Sequence, residues 1–199
     1  MTHPDFYHNI QNIKVQDPLA SFLGAFEQGS YEFSYLDIVK SAGHSCPTVL
    51  GAYMMVREAI KALYDDDIAQ RGDIKIEFKD DSLNGVAGVI ANVMSNILGS
   101  TTNMGFKGIA GNYDRRHLMF FNEDIEGNVR FTRRDTKKSV EVIYDANCIS
   151  HDEKMSPLMQ KCISKTANNE EQIEFGILWQ KRVEEISLNT KRVITVISS

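Results

Sequence analysis

Gly43-His44-Ser45-Cys46-Pro47, followed by Thr48-Val49-Leu50-Gly51-Ala52-Tyr53-Met54-Met55-Val56, is the stretch around which this chain is organised. It is the one place where a histidine and a cysteine stand close together at a predicted chain turn. Proline is disfavoured inside a helix but suits the first helical position, where its fixed φ helps and its missing N–H is not needed. Pro47 therefore predicts a helix running to about Tyr64, with Cys46 as its N-cap. The free N–H groups and the positive end of the helix dipole would then face the Cys46 sulfur and favour thiolate over thiol. A thiolate is the form that a metal or an electrophile requires.

Within that helix Val49, Ala52, Tyr53, Val56, Ile60 and Leu63 make one apolar stripe, which Leu50, Met54 and Met55 widen in the first half. Charges begin only at Arg57. The pattern predicts a buried start, with His44 and Cys46 deep in a cleft, and an exposed end at Asp65-Asp66-Asp67. Upstream, the aromatics Phe6 and Tyr7 suggest a docked N-terminal arm. Leu19, Phe22, Leu23 and Phe26 recur at helical spacing after Asp17-Pro18, predicting an amphipathic packing helix that Gly29 stops. The run Tyr31 to Lys40, with Phe33, Leu36, Ile38 and Val39, is open to a strand or a helix reading, and a helix ending at Gly43, with His44 just beyond it, is preferred.

Downstream, Ile74, Ile76 and Phe78 alternate as one face of a half-buried strand. The polar turn Asp80 to Gly85 leads to a central helix ending near Leu98. After a Gly-rich loop from Gly99, short strands are predicted at Phe106–Ala110, Arg116–Phe121, Val129–Arg133 and Val140–Tyr144, a meander. A long amphipathic helix spans about Glu170 to Leu188, and Val193 to Ile197 reads as a closing strand. Helices, then strands, then helices, without βαβ alternation, make the class α+β: a mixed, mostly antiparallel sheet packed with buried helices. Residues 1–145 read as the core with its arm, and 146–199 as a helical extension packed on it.

The 199 residues suit one domain, or one with an appendage, and the 42% hydrophobic and 25% charged content is ordinary for a globular chain. A net charge of −5 disfavours a nucleic-acid partner. No signal pattern opens the chain and no apolar run approaches the roughly 18 residues of a membrane span, so no membrane partner is expected and the cytoplasm is. The three cysteines, Cys46, Cys148 and Cys162, are too few for a disulfide framework.

The order of these features, with Gly43-His44-x-Cys46-Pro47 as the most specific, resembles the FmdE-like family of formylmethanofuran dehydrogenase components over about Tyr35 to Asn122. Asn84-Gly85-Val86 looks like the family's Cys-Gly-Val, Gly99-Ser100-Thr101 like its Gly-Cys-Thr, and Gly111-Asn112-Tyr113 with Phe120-Phe121 like the strand after that loop. Two family cysteine positions thus hold Asn84 and Ser100. The resemblance implies an α+β domain with a divalent transition metal, zinc or nickel, on His44 and Cys46. It also implies a component of a C1-metabolism complex, without the cysteine-rich ribbon some members append.

His-x-Cys supplies only an edge of a zinc tetrahedron, so other ligands have to be oxygen or imidazole. Asp80, Asp81, His117, His8 and water are the candidates. Asp81, in the polar turn beside Asn84, is the preferred acid, although such an Asp is more often a cap. Three functions stay open: a metal site with a position left for an unidentified small-molecule ligand, a metal-free thiol enzyme with Cys46 as nucleophile and His44 as base, and a non-enzymatic subunit. Cys148-x-x-His151 also has ligand-like spacing but sits in a loop with no second pair beyond it. The apolar side of the C-terminal helix, with Trp179, suggests core packing or a homodimer.

Overall fold

The computed structural model describes residues 3–198, and α3 (Pro47–Tyr64) lies at its centre. Every residue from 49 to 56 is buried, whichever side of the helix it faces. The cause is enclosure. Helix α3 packs against α2 (Tyr35–Ala42), α4 (Ala87–Leu98) and α6 (Asn169–Leu188), and against strands β6 (Val129–Arg133), β7 (Ser139–Tyr144) and β8 (Ile194–Ser198). At its far end residues 65–68 are exposed, as the position of the charges predicts.

The larger sheet runs β5 (Met119–Phe120), β4 (Ile74–Phe78), β6, β7, β8. The β4–β5 pair is parallel and the other three are antiparallel. The fold is α+β, with the mixed, mostly antiparallel sheet expected. The alternation in β4 holds: Ile74, Ile76 and Phe78 enter the core, while Glu77, itself buried, pairs with Lys75 at 2.9 Å. Strand β8 closes the edge beside β7, so the C-terminal segment contributes to the same sheet. The remaining helices are the short α1 (Pro18–Phe22), α5 (Met155–Ile163), which packs on α6, and α7 (Thr190–Val193).

A smaller sheet has the order β2 (Ser30–Phe33), β1 (Ile13–Gln16), β3 (Ala69–Gln70). Asp17 ties it to the rest of the molecule. Its buried carboxylate caps α1 through Leu19 and Ala20, accepts from Tyr31, and pairs with Arg71 at 3.1 Å and Arg115 at 2.6 Å. Burial alone would raise its pKa, but the hydrogen bonds and charge of Arg115, with help from Ala20 and Arg71, bring it down to about 2. The N-terminal arm is docked by Phe6 and Tyr7, both buried.

Four expectations need correction. The helix after Asp17 is only α1, and Phe22, Leu23 and Phe26 are exposed because the chain reverses at Gly24 (φ +68°) before the apolar repeat can pack. The run from Tyr31 divides into β2 and α2, because Ser34 and Asp37 form a capping box that starts the helix at Tyr35; its end at Gly43, in the left-handed region, is as expected. No strand forms over 106–110, where positive φ at Gly108, Ala110, Gly111 and Tyr113 leaves only an isolated bridge between Ile109 and Asn112. The next strand shrinks to Met119–Phe120, bracketed by positive φ at His117 and Asn122.

Candidate functional site

The turn between α2 and α3 is built as its residues dictate. Gly43 takes φ +76° to end α2, and Cys46 is extended, at φ −150° and ψ 168°, to begin α3. The Cys46 sulfur accepts the Val49 N–H at 3.4 Å, so the expected N-cap is present. The expected depth is not. His44 is exposed, Cys46 is half-buried, and Ser45 alone of the three is buried. The apolar half of α3 begins at Val49, and the turn before it runs along the surface.

Four side chains hold this turn in place. The Trp179 indole N–H and the Gln180 amide, both from α6, donate to the Ser45 carbonyl at 3.0 and 3.2 Å. Tyr35 bonds the Ser45 hydroxyl at 2.9 Å, and Tyr144, the last residue of β7, donates to the Pro47 carbonyl at 2.7 Å. Burial pushes the Tyr35 and Tyr144 phenols up, and the neighbouring Cys46 sulfur adds to both shifts. Both phenols are therefore neutral near pH 7 and available as donors. The Tyr144 ring lies against the backbone of α3 at Gly51, where an added Cβ would come under 3.0 Å from three ring atoms. Trp179 is thus part of the support for the motif. The sequence carried one sign of this arrangement, a glycine in the interior of an apolar helix.

His44 faces different surroundings. Its Nδ1 lies 3.0 Å from the Ala42 carbonyl, and it lines a 330 Å³ groove between the end of α2 and α4 with Ser41, Val89, Asn92 and Asn96. Cys46 does not line that groove. Asp81 is occupied by the Leu83 N–H at 2.8 Å and the Asn122 amide at 2.8 Å. Hydrogen bonding to these two groups holds its pKa below the usual carboxylate range, a cap's environment. His8, Asp80 and His117 are exposed. Asn84 is exposed in its turn, whereas Ser100 is fully buried and donates to the Ile74 carbonyl at 2.5 Å. Among the described residues no group of three or more His, Cys, Asp or Glu side chains is arranged to hold an ion. His44 and Cys46 therefore do not belong to a closed structural centre, which needs four ligands from the chain.

No described helix is long and apolar enough to cross a membrane. A family model described as "FmdE, Molybdenum formylmethanofuran dehydrogenase operon" matches residues 42–195, a span that starts just before the Gly43–Pro47 turn and takes in both α3 and α6. No curated protein matches the chain.

Proposed function

This chain belongs to the FmdE family, and on that premise we propose that it is a cytoplasmic subunit whose His44-Ser45-Cys46-Pro47 turn offers two donors to an exchangeable divalent transition metal. Zinc is the first choice and nickel the second, and the other coordination positions are left to water or to a small ligand. The observation that carries the reading is the state of the two donors. The Nδ1 of His44 is engaged by the Ala42 carbonyl, which leaves Nε2 as the ligand atom. Cys46 is held by the Val49 N–H and by the clamp on Ser45 and Pro47. With Asn84 and Ser100 at the family's cysteine positions, binding is expected to be weak and reversible. When bound, such an ion would act as a Lewis acid toward a carbonyl or water.

Cobalt(II) titration tests this reading. Saturation with a thiolate-to-cobalt charge-transfer band, lost in both Cys46→Ser and His44→Ala, is the expected result. A second reading, Cys46 as a metal-free nucleophile, is supported by the sulfur's place at the start of an 18-residue helix and beside two neutral phenols. His44 forms no hydrogen bond with Cys46, so this thiol would act without it as base. No cobalt band, together with rapid alkylation of Cys46 in both wild type and His44→Ala, would select that second reading. The exposed Ile173 and Ile177 on α6 support pairing of two copies through this helix.

A further inference from the structure

The loop after β7, the second half of α6 and the turn through Asn189 and Arg192 border an open cavity of about 430 Å³ to which neither His44 nor Cys46 contributes. Its lining includes His151 and the charged residues Asp152, Lys181, Arg182, Glu185 and Arg192. The volume lies in the range of small-molecule sites. The lining carries three cations, Lys181, Arg182 and Arg192, against two acids, Asp152 and Glu185. Lys181, Arg182 and Arg192 form no ion pair among the described residues, although Glu185 follows Lys181 and Arg182 by four and three positions on the same helix. Asp152 instead accepts the Lys154 N–H at 2.9 Å.

Arg182 stands out further. It lines the cavity while its Nε is buried and has no hydrogen-bond partner, so the guanidinium is not already committed to a protein acceptor through that atom. Arg192 is pinned at the cavity wall, donating to the Cys148 carbonyl at 3.1 Å, while the Cys148 thiol lies 3.5 Å from the Arg192 carbonyl. The Cys148-x-x-His151 pair, whose spacing suggested a metal, thus forms one side of a basic cavity.

We propose that this cavity binds the phosphate group of a small phosphorylated molecule. Arginine's planar fork of donors suits a phosphate oxygen pair, and an ammonium and a second guanidinium from separate backbone positions suit a tetrahedral group better than a planar carboxylate. Glu185 and Asp152 remain as acceptors for hydroxyl groups on the rest of the molecule.

Isothermal titration calorimetry on the full chain in a phosphate-free buffer tests this, with inorganic phosphate, glycerol 3-phosphate and succinate as probes. Saturable binding of both phosphate probes is expected, tighter than succinate and weakening as sodium chloride is added. Arg182→Gln should weaken it at least about tenfold and Arg182→Lys by less, while Lys107→Gln, outside the cavity, changes nothing. Should Arg182→Gln fail to fold, the Nε–H resonance of Arg182 in the wild type is the readout, and it should move with phosphate. Absence of saturable binding, equal affinity for succinate, undiminished affinity in a folded Arg182→Gln variant, or an unmoved Arg182 resonance would each overturn the proposal.

Discussion

Gly51→Ala is the perturbation whose outcome depends most directly on how the motif is supported. On helix propensity alone, replacing an interior glycine by alanine stabilises a helix by about 1 kcal/mol. At Gly51 the new Cβ would meet the Tyr144 ring under 3.0 Å, against an ordinary contact of 3.4–4 Å, so the ring has to retreat. Such overpacking costs about 1–3 kcal/mol. Retreat also stretches the 2.7 Å bond from Tyr144 to the Pro47 carbonyl, worth about 1 kcal/mol net. The sum is a destabilisation of about 1–3 kcal/mol, with the sign set by the aromatic ring. Gly176→Ala on α6, where an added Cβ meets nothing within 4 Å, should instead stabilise by about 0.5–1 kcal/mol. Urea unfolding followed by circular dichroism compares the two. In a Tyr144→Leu background the Gly51→Ala cost should largely vanish. If Gly51→Ala stabilises the wild type as Gly176→Ala does, the account of Tyr144 as a wedge against α3 is wrong.

Asp17→Ala leaves Arg115 buried without its partner and should cost about 3–5 kcal/mol in the same unfolding experiment. The pH dependence follows from the same carboxylate. Its pKa falls on folding from 3.8 to about 2, so its contribution of about 2 kcal/mol is complete above pH 4 and is lost as pH drops toward 2. Acid unfolding of wild type should show that loss, and Asp17→Asn should not. An open metal site predicts that a chelator shifts the melting temperature by less than about 1 °C, because the core is formed without the ion; a large drop would indicate a structural centre. Ile177→Lys should convert a dimer to monomer in light scattering without loss of stability, since Ile177 is 63% exposed in the single chain; an unchanged mass would remove α6 from the interface.

What was legible in the sequence follows the length and regularity of each signal. Helix α3 was readable from Pro47 and the apolar run, β4 from strict alternation, and α6 from a pattern that reached within a residue of its observed ends. Regions governed by single backbone angles were not. Ala110, Tyr113 and His117 adopt positive φ, which no hydrophobic pattern announces, and two strands were lost or shortened there. For the site, the N-cap role of Cys46 was a local property and could be read locally. The exposure of His44 and the clamp by Trp179, 134 positions from Ser45, depend on tertiary packing. Ile173 and Ile177 share the helical spacing of Val183 and Ile186 on α6, yet only the latter two are buried, which spacing alone does not distinguish.

Whether His44 and Cys46 serve one ion is tested most directly by zinc protection of the thiol. Alkylation of Cys46 by iodoacetamide is followed by peptide mass spectrometry with and without zinc, in wild type and His44→Ala, with Cys148 and Cys162 as internal references. Zinc should slow the labelling of Cys46 in the wild type, and that protection should disappear in His44→Ala while the reference cysteines are unaffected. Labelling of Cys46 at the same rate with and without zinc in the wild type, or protection that persists in His44→Ala, would contradict the shared site.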